Sequence, residues 1–127
     1  MSRDRLLVIY DERDLGEFIA EVAEGLGFEA LATDRSTEFW AAYARATPQV
    51  VVLDLMMPEE DGVEILRTLA ERACQASILV ISAADPRVVA TVRRLGEARG
   101  LRMLGALHKP IEIGALEEAL APAVRKG

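Results

Sequence analysis

Side chains able to handle an oxyanion follow four short apolar runs of this sequence. Asp11 and Glu12 follow Leu6 to Tyr10, Asp54 follows Val50 to Leu53, Ser82 follows Ile78 to Ile81, and Lys109 comes just after Met103 to Leu107. If these runs are neighbouring strands that point the same way, the acidic oxygens converge and repel. That repulsion is relieved by protonating one carboxyl, which raises its pKa, or by admitting a cation. Oxygen-only ligands on short loops suit a hard divalent ion that takes one or two carboxylates and keeps several waters, so Mg2+ is the expected ion. The chain has two lysines, Lys109 and Lys126, against many arginines. A compact ammonium on a flexible stem at position 109 balances the acids and can meet a phosphoryl oxygen, which a guanidinium would not imitate. Together these groups form an apparatus for phosphoryl transfer onto Asp54. Asp54 would be the nucleophile, Lys109 and the metal would neutralise charge, and Ser82 would hydrogen-bond the transferred group.

The elements that must position these residues alternate along the chain. Strands are expected at Leu6 to Tyr10, Phe28 to Ala32, Val50 to Leu53, Ile78 to Ile81 and Met103 to Leu107. Three of them are almost continuously apolar, as strands covered on both faces should be. Helical spacing links Leu15, Ile19, Val22 and Leu26, then Phe39, Tyr43 and Ala46, then Ile65, Leu66, Leu69 and Ala73. It links Val88, Val89, Val92 and Leu95 in a fourth helix, and Ile113, Leu116, Leu120 and Val124 in a fifth. Asp14 with Glu17 reads as a capping box, Asp61 with Glu64 as another, and Asp85 before Pro86 as a cap followed by a favourable first residue. This alternation predicts an α/β domain with a parallel sheet, whose sites lie at the carboxyl ends of the strands.

Composition narrows the functional classes. At 127 residues and 51% hydrophobic content the chain is expected to be one domain, residues 1–127, with a real core. A single cysteine, Cys74, leaves no internal disulfide. No secretion signal opens the sequence and no apolar run approaches the roughly 20 residues that span a bilayer, so a cytoplasmic protein without a membrane partner is expected. A net charge of −6 argues against direct binding to nucleic acid.

The residues around Asp54 resemble the response-regulator receiver domain of two-component signalling, over nearly the whole chain. Asp54-Leu55-Met56-Met57-Pro58 followed by Asp61-Gly62 is similar to the family's phosphoacceptor loop, Ser82-Ala83 to its hydroxyl-plus-small pair, and Lys109-Pro110 to its lysine motif. The resemblance implies a three-layer αβα fold, flavodoxin-like or CheY-like, with five parallel strands in the order 2-1-3-4-5 and five helices. It implies phosphorylation of Asp54 by a histidine kinase or histidine phosphotransfer protein. It also implies Mg2+ held by Asp11, Asp54 and the backbone carbonyl of Met56, with Glu12 as an alternative ligand. Such a protein catalyses only its own phosphorylation and dephosphorylation, and acts on a downstream protein or an attached output domain. Homodimerisation is left open.

This chain departs from the family pattern in three places. Tyr10 stands where the first of two adjacent acids is usual, which weakens the case for metal binding. Ala106 stands where an aromatic ring usually reports phosphorylation. The stretch from Ser82 to Lys109 is longer than usual, which would lengthen the fourth helix or the turn after it. Leu104 to Pro110 also resembles receivers attached to cyclic-dinucleotide phosphodiesterase domains. The chain stops at Lys126-Gly127, so a stand-alone receiver and a piece of a longer protein are both expected possibilities.

Several residues have plainer readings. Tyr10 reads as packing, His108 as structural, Cys74 as a small apolar residue near a helix end, and Trp40 and Tyr43 as partly exposed packing. A serine after a strand commonly begins a turn, which is the ordinary reading of Ser82. Arg87, Arg93, Arg94, Arg99 and Arg102 form a solvated basic face or, more sharply, a surface for an acidic partner. The main competing function is a degenerate receiver that binds partners whatever the state of Asp54. A haloacid-dehalogenase-type phosphatase lacks its second acid, because Met56 occupies that position. A flavin binder is disfavoured by the acidic loop Asp11-Glu12-Arg13-Asp14.

Overall fold

The computed structural model describes residues 3–57 and 61–124; Pro58, which ends the acceptor-loop motif, and Lys126 lie outside the described residues. The strands are β1 (Arg5–Ile9), β2 (Glu29–Thr33), β3 (Val50–Asp54), β4 (Ser77–Ser82) and β5 (Arg102–His108). The helices are α1 (Arg13–Gly25), α2 (Ser36–Arg45), α3 (Gly62–Glu71), α4 (Pro86–Ala98) and α5 (Ile113–Leu120), and a 3-10 turn (Ala121–Ala123) follows. All strands are parallel, and their order is β2-β1-β3-β4-β5, as the resemblance implies.

Strand alternation divides the core into two layers. Leu7, Ile9, Val51, Leu53, Ile78 and Val80 pack with Phe39 of α2, Ile65 and Leu66 of α3, and Val92 of α4. Leu6, Val8, Val50, Val52, Leu79 and Ile81 pack with Ile19 of α1 and Leu116 and Leu120 of α5. Both faces of β1, β3 and β4 are therefore covered, which is why their sequences are apolar runs.

The helices differ in detail from their sequence patterns. The box at Asp14 does not form: α1 begins at Arg13 after Glu12, with no side-chain cap. Its deepest residues are Gly16, Ile19, Ala20 and Ala23, while Leu15 is 42% exposed. Small residues let α1 settle closely on the sheet, since a Cβ at Gly16 would lie 3.5 Å from Tyr10 Cβ and 3.6 Å from Ala32 Cβ. Asp61 and Asp85 do cap their helices, though Glu64 pairs with Arg67 rather than closing a box with Asp61. Asp61 accepts hydrogen bonds from the amides of Val63 and Glu64, and Asp85 from Arg87. Ala73 lies beyond α3 with a positive φ, Val124 lies beyond α5, and Val88 and Leu95 of α4 are exposed. Part of the length between Ser82 and Lys109 sits in neither helix nor turn but in β5. Ile78 pairs with Met103 and Leu79 with Gly105, so Leu104 forms a bulge.

Candidate functional site

Asp54 is the last residue of the central strand β3, and its side chain is fully buried. Its Oδ2 accepts a hydrogen bond from Lys109 Nζ at 3.0 Å and its Oδ1 one from the Met56 amide at 3.2 Å. The lysine comes from just beyond β5, where its own amide donates to the Ser82 carbonyl at 3.0 Å. Burial pushes the Asp54 carboxyl up to about 6; the neighbouring Asp11 carboxyl adds to the rise, and Lys109 and the Met56 amide oppose it. For Lys109, burial acts to lower the pKa, but the hydrogen bond and charge of Asp54, aided by Tyr10, reverse this and leave it raised.

Asp11 stands on the loop between β1 and α1, and its Oδ1 is buried without a hydrogen-bond partner. A buried carboxylate oxygen that lacks a donor, beside a second buried carboxyl, is the chemistry a cation would satisfy. Among the described residues no group of three or more His, Cys, Asp or Glu side chains is assembled to hold a metal. The donors at this point are thus two carboxylates with adjacent backbone, a set that suits an ion retaining several waters. Glu12 is exposed at the start of α1.

Ser82 is the last residue of β4, one position beyond Ile81, which pairs with Asp54. It is buried, and its hydroxyl oxygen accepts from the Ala84 amide at 2.9 Å, the turn expected of a serine after a strand. The hydroxyl proton is not used in that bond. Ala106 lies on β5 beside a cavity of about 220 Å³ lined also by Ser82, Pro86, Val89, Ala90 and Arg93. His108 is exposed, with its ring Nδ1 2.6 Å from the carbonyl oxygen of Lys109, in keeping with its structural reading.

Two features escaped the sequence reading. Tyr10 is 2% exposed, and Lys109 Nζ lies 4.6 Å from the centre of its ring. With the lysine side chain 22% exposed, a contact of this kind contributes about 1 kcal/mol. The second is Gly62, where a Cβ would stand 2.5 Å from the Asp54 carbonyl oxygen and 2.5 Å from Leu55 Cα. Only glycine lets the start of α3 approach the end of β3 so closely. The Asp61-Gly62 pair was visible in the sequence, but its steric meaning required the approach of two elements.

With fold and site described, the family follows. The model of the response regulator receiver domain matches residues 6–121, and the chain belongs to that family. Among curated proteins it is 27% identical over 126 residues to the KDP operon transcriptional regulatory protein KdpE of Escherichia coli, covering 95% of this chain and 51% of that protein. It is 34% identical over 67 residues to the DNA-binding response regulator MtrA of Mycobacterium tuberculosis, covering 53% of this chain and 29% of that one. The chain thus spans about half, or less, of these relatives' lengths. Among solved structures, chemotaxis protein CheY4 of Vibrio cholerae superposes with a TM-score of 0.81 at 20% identity, over 98% of this chain and 100% of that one. A response regulator from Colwellia psychrerythraea gives 0.80 at 26% identity, over 97% and 98%. No helix among the described residues is long and apolar enough to cross a membrane.

Proposed function

We propose that this receiver domain is a phosphorylation switch whose acceptor is Asp54. The observation that carries the proposal is the buried Asp54 carboxyl 3.0 Å from the Lys109 ammonium, with the unpartnered Asp11 oxygen beside it. A histidine kinase or histidine phosphotransfer protein supplies the phosphoryl group from a phosphohistidine. An Asp54 oxygen attacks phosphorus as the N–P bond breaks, and the imidazole keeps the electron pair. Lys109 neutralises charge on the transferred oxygens, and the free proton of Ser82 is available to donate to one of them. Asp11, Asp54 and the Met56 carbonyl, with Glu12 as an alternative, would hold Mg2+, which when bound supplies further neutralisation of the phosphoryl oxygens. The adduct shifts the domain between two surfaces read by a downstream protein or an attached output domain, in the cytoplasm. On this reading the domain has no reaction other than its own phosphorylation and dephosphorylation.

Incubation with acetyl phosphate and Mg2+, followed by intact mass, tests the reading. A single phosphate adduct on the wild type that is lost in Asp54→Asn is expected; a wild type without adduct across a range of Mg2+ overturns it. A second reading, a degenerate receiver that binds partners independently of phosphorylation, draws on Tyr10 in place of an acid and on Ala106 beside an open cavity. It predicts that Asp54→Asn leaves partner affinity unchanged.

A further inference from the structure

Tyr10 and Lys109 are far apart in sequence, yet the fold presses them together at the acceptor. The ring follows β1 on the side of the sheet covered by α1 and α5, where it packs with Val8 and Ile19. Lys109 is consequently held from two directions. The Asp54 carboxylate is 3.0 Å from Nζ, and the Tyr10 ring centre is 4.6 Å from the same atom. A lysine stem has four rotatable bonds and ordinarily loses much freedom when fixed, so a second contact on its charged end restricts it before any phosphoryl group arrives. Tyr10 and Lys109 also line a groove of about 360 Å³ with Leu15, Phe18, Pro110 and Ile111. Without the ring, the ammonium loses cover on one side and is more open to that groove than its present 22% side-chain exposure. An acid at position 10 would hold the lysine by charge, but it would also draw it away from Asp54 and add a negative charge for a cation.

We infer that Tyr10 is a positioning residue: its buried ring holds the Lys109 ammonium over Asp54, where it meets the incoming phosphoryl oxygens. This rests on the proposed acceptor role of Asp54. In the step concerned, an Asp54 oxygen bonds to phosphorus as the P–O bond to acetate of acetyl phosphate breaks and acetate leaves with the electron pair. The clamp also makes the site depend more on its lysine and less on its divalent ion than a site with a further acid would.

Only two lysines occur in the chain, so a spectrum of lysine ε-methylene groups contains two signals, separable with Lys109→Arg. The ring places the Lys109 signal upfield of Lys126. Tyr10→Phe should keep that displacement and stay within twofold of the wild-type labelling rate with acetyl phosphate. Tyr10→Leu should lose the displacement and label about tenfold more slowly at saturating Mg2+, with the Mg2+ dissociation constant from calorimetry unchanged within twofold. Tyr10→Asp, a second variant should leucine fail to fold, should also lose the displacement and bind Mg2+ at least tenfold more tightly. A Lys109 signal that is the same in wild type and Tyr10→Leu overturns the clamp, as does an unchanged labelling rate in Tyr10→Leu. A wild type with the upfield signal but no adduct overturns the acceptor reading instead, while the clamp stands.

Discussion

Along β3 every residue from Val50 to Asp54 is buried, whereas along β5 no residue from Arg102 to His108 is. The central strand is held on two edges and two faces, so its last carboxyl has one position. The edge strand carries a bulge at Leu104 and borders the cavity at Ala106, which is lined also by Arg93, whose Nε is buried without a partner. The contrast separates two tasks. The proposed chemistry at Asp54 would need fixed geometry, and the centre provides it through packing. A response to that chemistry needs an element that can repack at little cost, and such elements come from the less buried end of a structure.

The contrast can be broken first at Gly62. Gly62→Ala should cost about 3 kcal/mol and abolish labelling, because the added methyl meets the backbone of β3 rather than a movable side chain. Urea denaturation and intact mass check both effects. Lys109→Ala should lower the labelling rate by about a hundredfold, the usual cost of removing one charge-stabilising group, with the fold retained. Stopped-time mass measurements read this directly.

Acidity probes the same centre. Asp54 holds its proton more tightly when folded, at about 6, than at the ordinary value of 3.8. Its contribution to stability is therefore complete below about pH 3.8 and is lost as pH rises through 6. The loss is about 2–3 kcal/mol between these limits in the metal-free protein. Urea midpoints against pH should show it in the wild type and not in Asp54→Asn. Labelling at limiting Mg2+ should fall as pH drops through 6, since the protonated carboxyl is a poor nucleophile and a poor ligand for the ion.

The smallest effect is expected at the edge. Ala106→Phe should change stability by no more than about 1 kcal/mol, because the cavity beside it accepts added volume without displacing backbone. A loss above 3 kcal/mol in urea denaturation would show that the edge is packed as tightly as the centre.

Much of this molecule was legible in the chain. Continuous apolar runs identified the covered strands, and caps at Asp61 and Asp85 placed the starts of α3 and α4, because both signals act between residues close in sequence. They also placed Asp54 at a strand end. The buried face of α1 was misread, since Leu15 looked like the core residue and Gly16, Ala20 and Ala23 are the ones that let the helix approach the sheet. Periodicity reports which residues share a stripe, not how closely that stripe packs. Sequence by itself therefore determined the alternation of elements and the place of Asp54 at the end of a strand. Tertiary structure decided that Gly62 must lack a side chain and that Tyr10 lies against Lys109. Both facts arise from contacts between elements remote in the chain, whose distances no local pattern encodes.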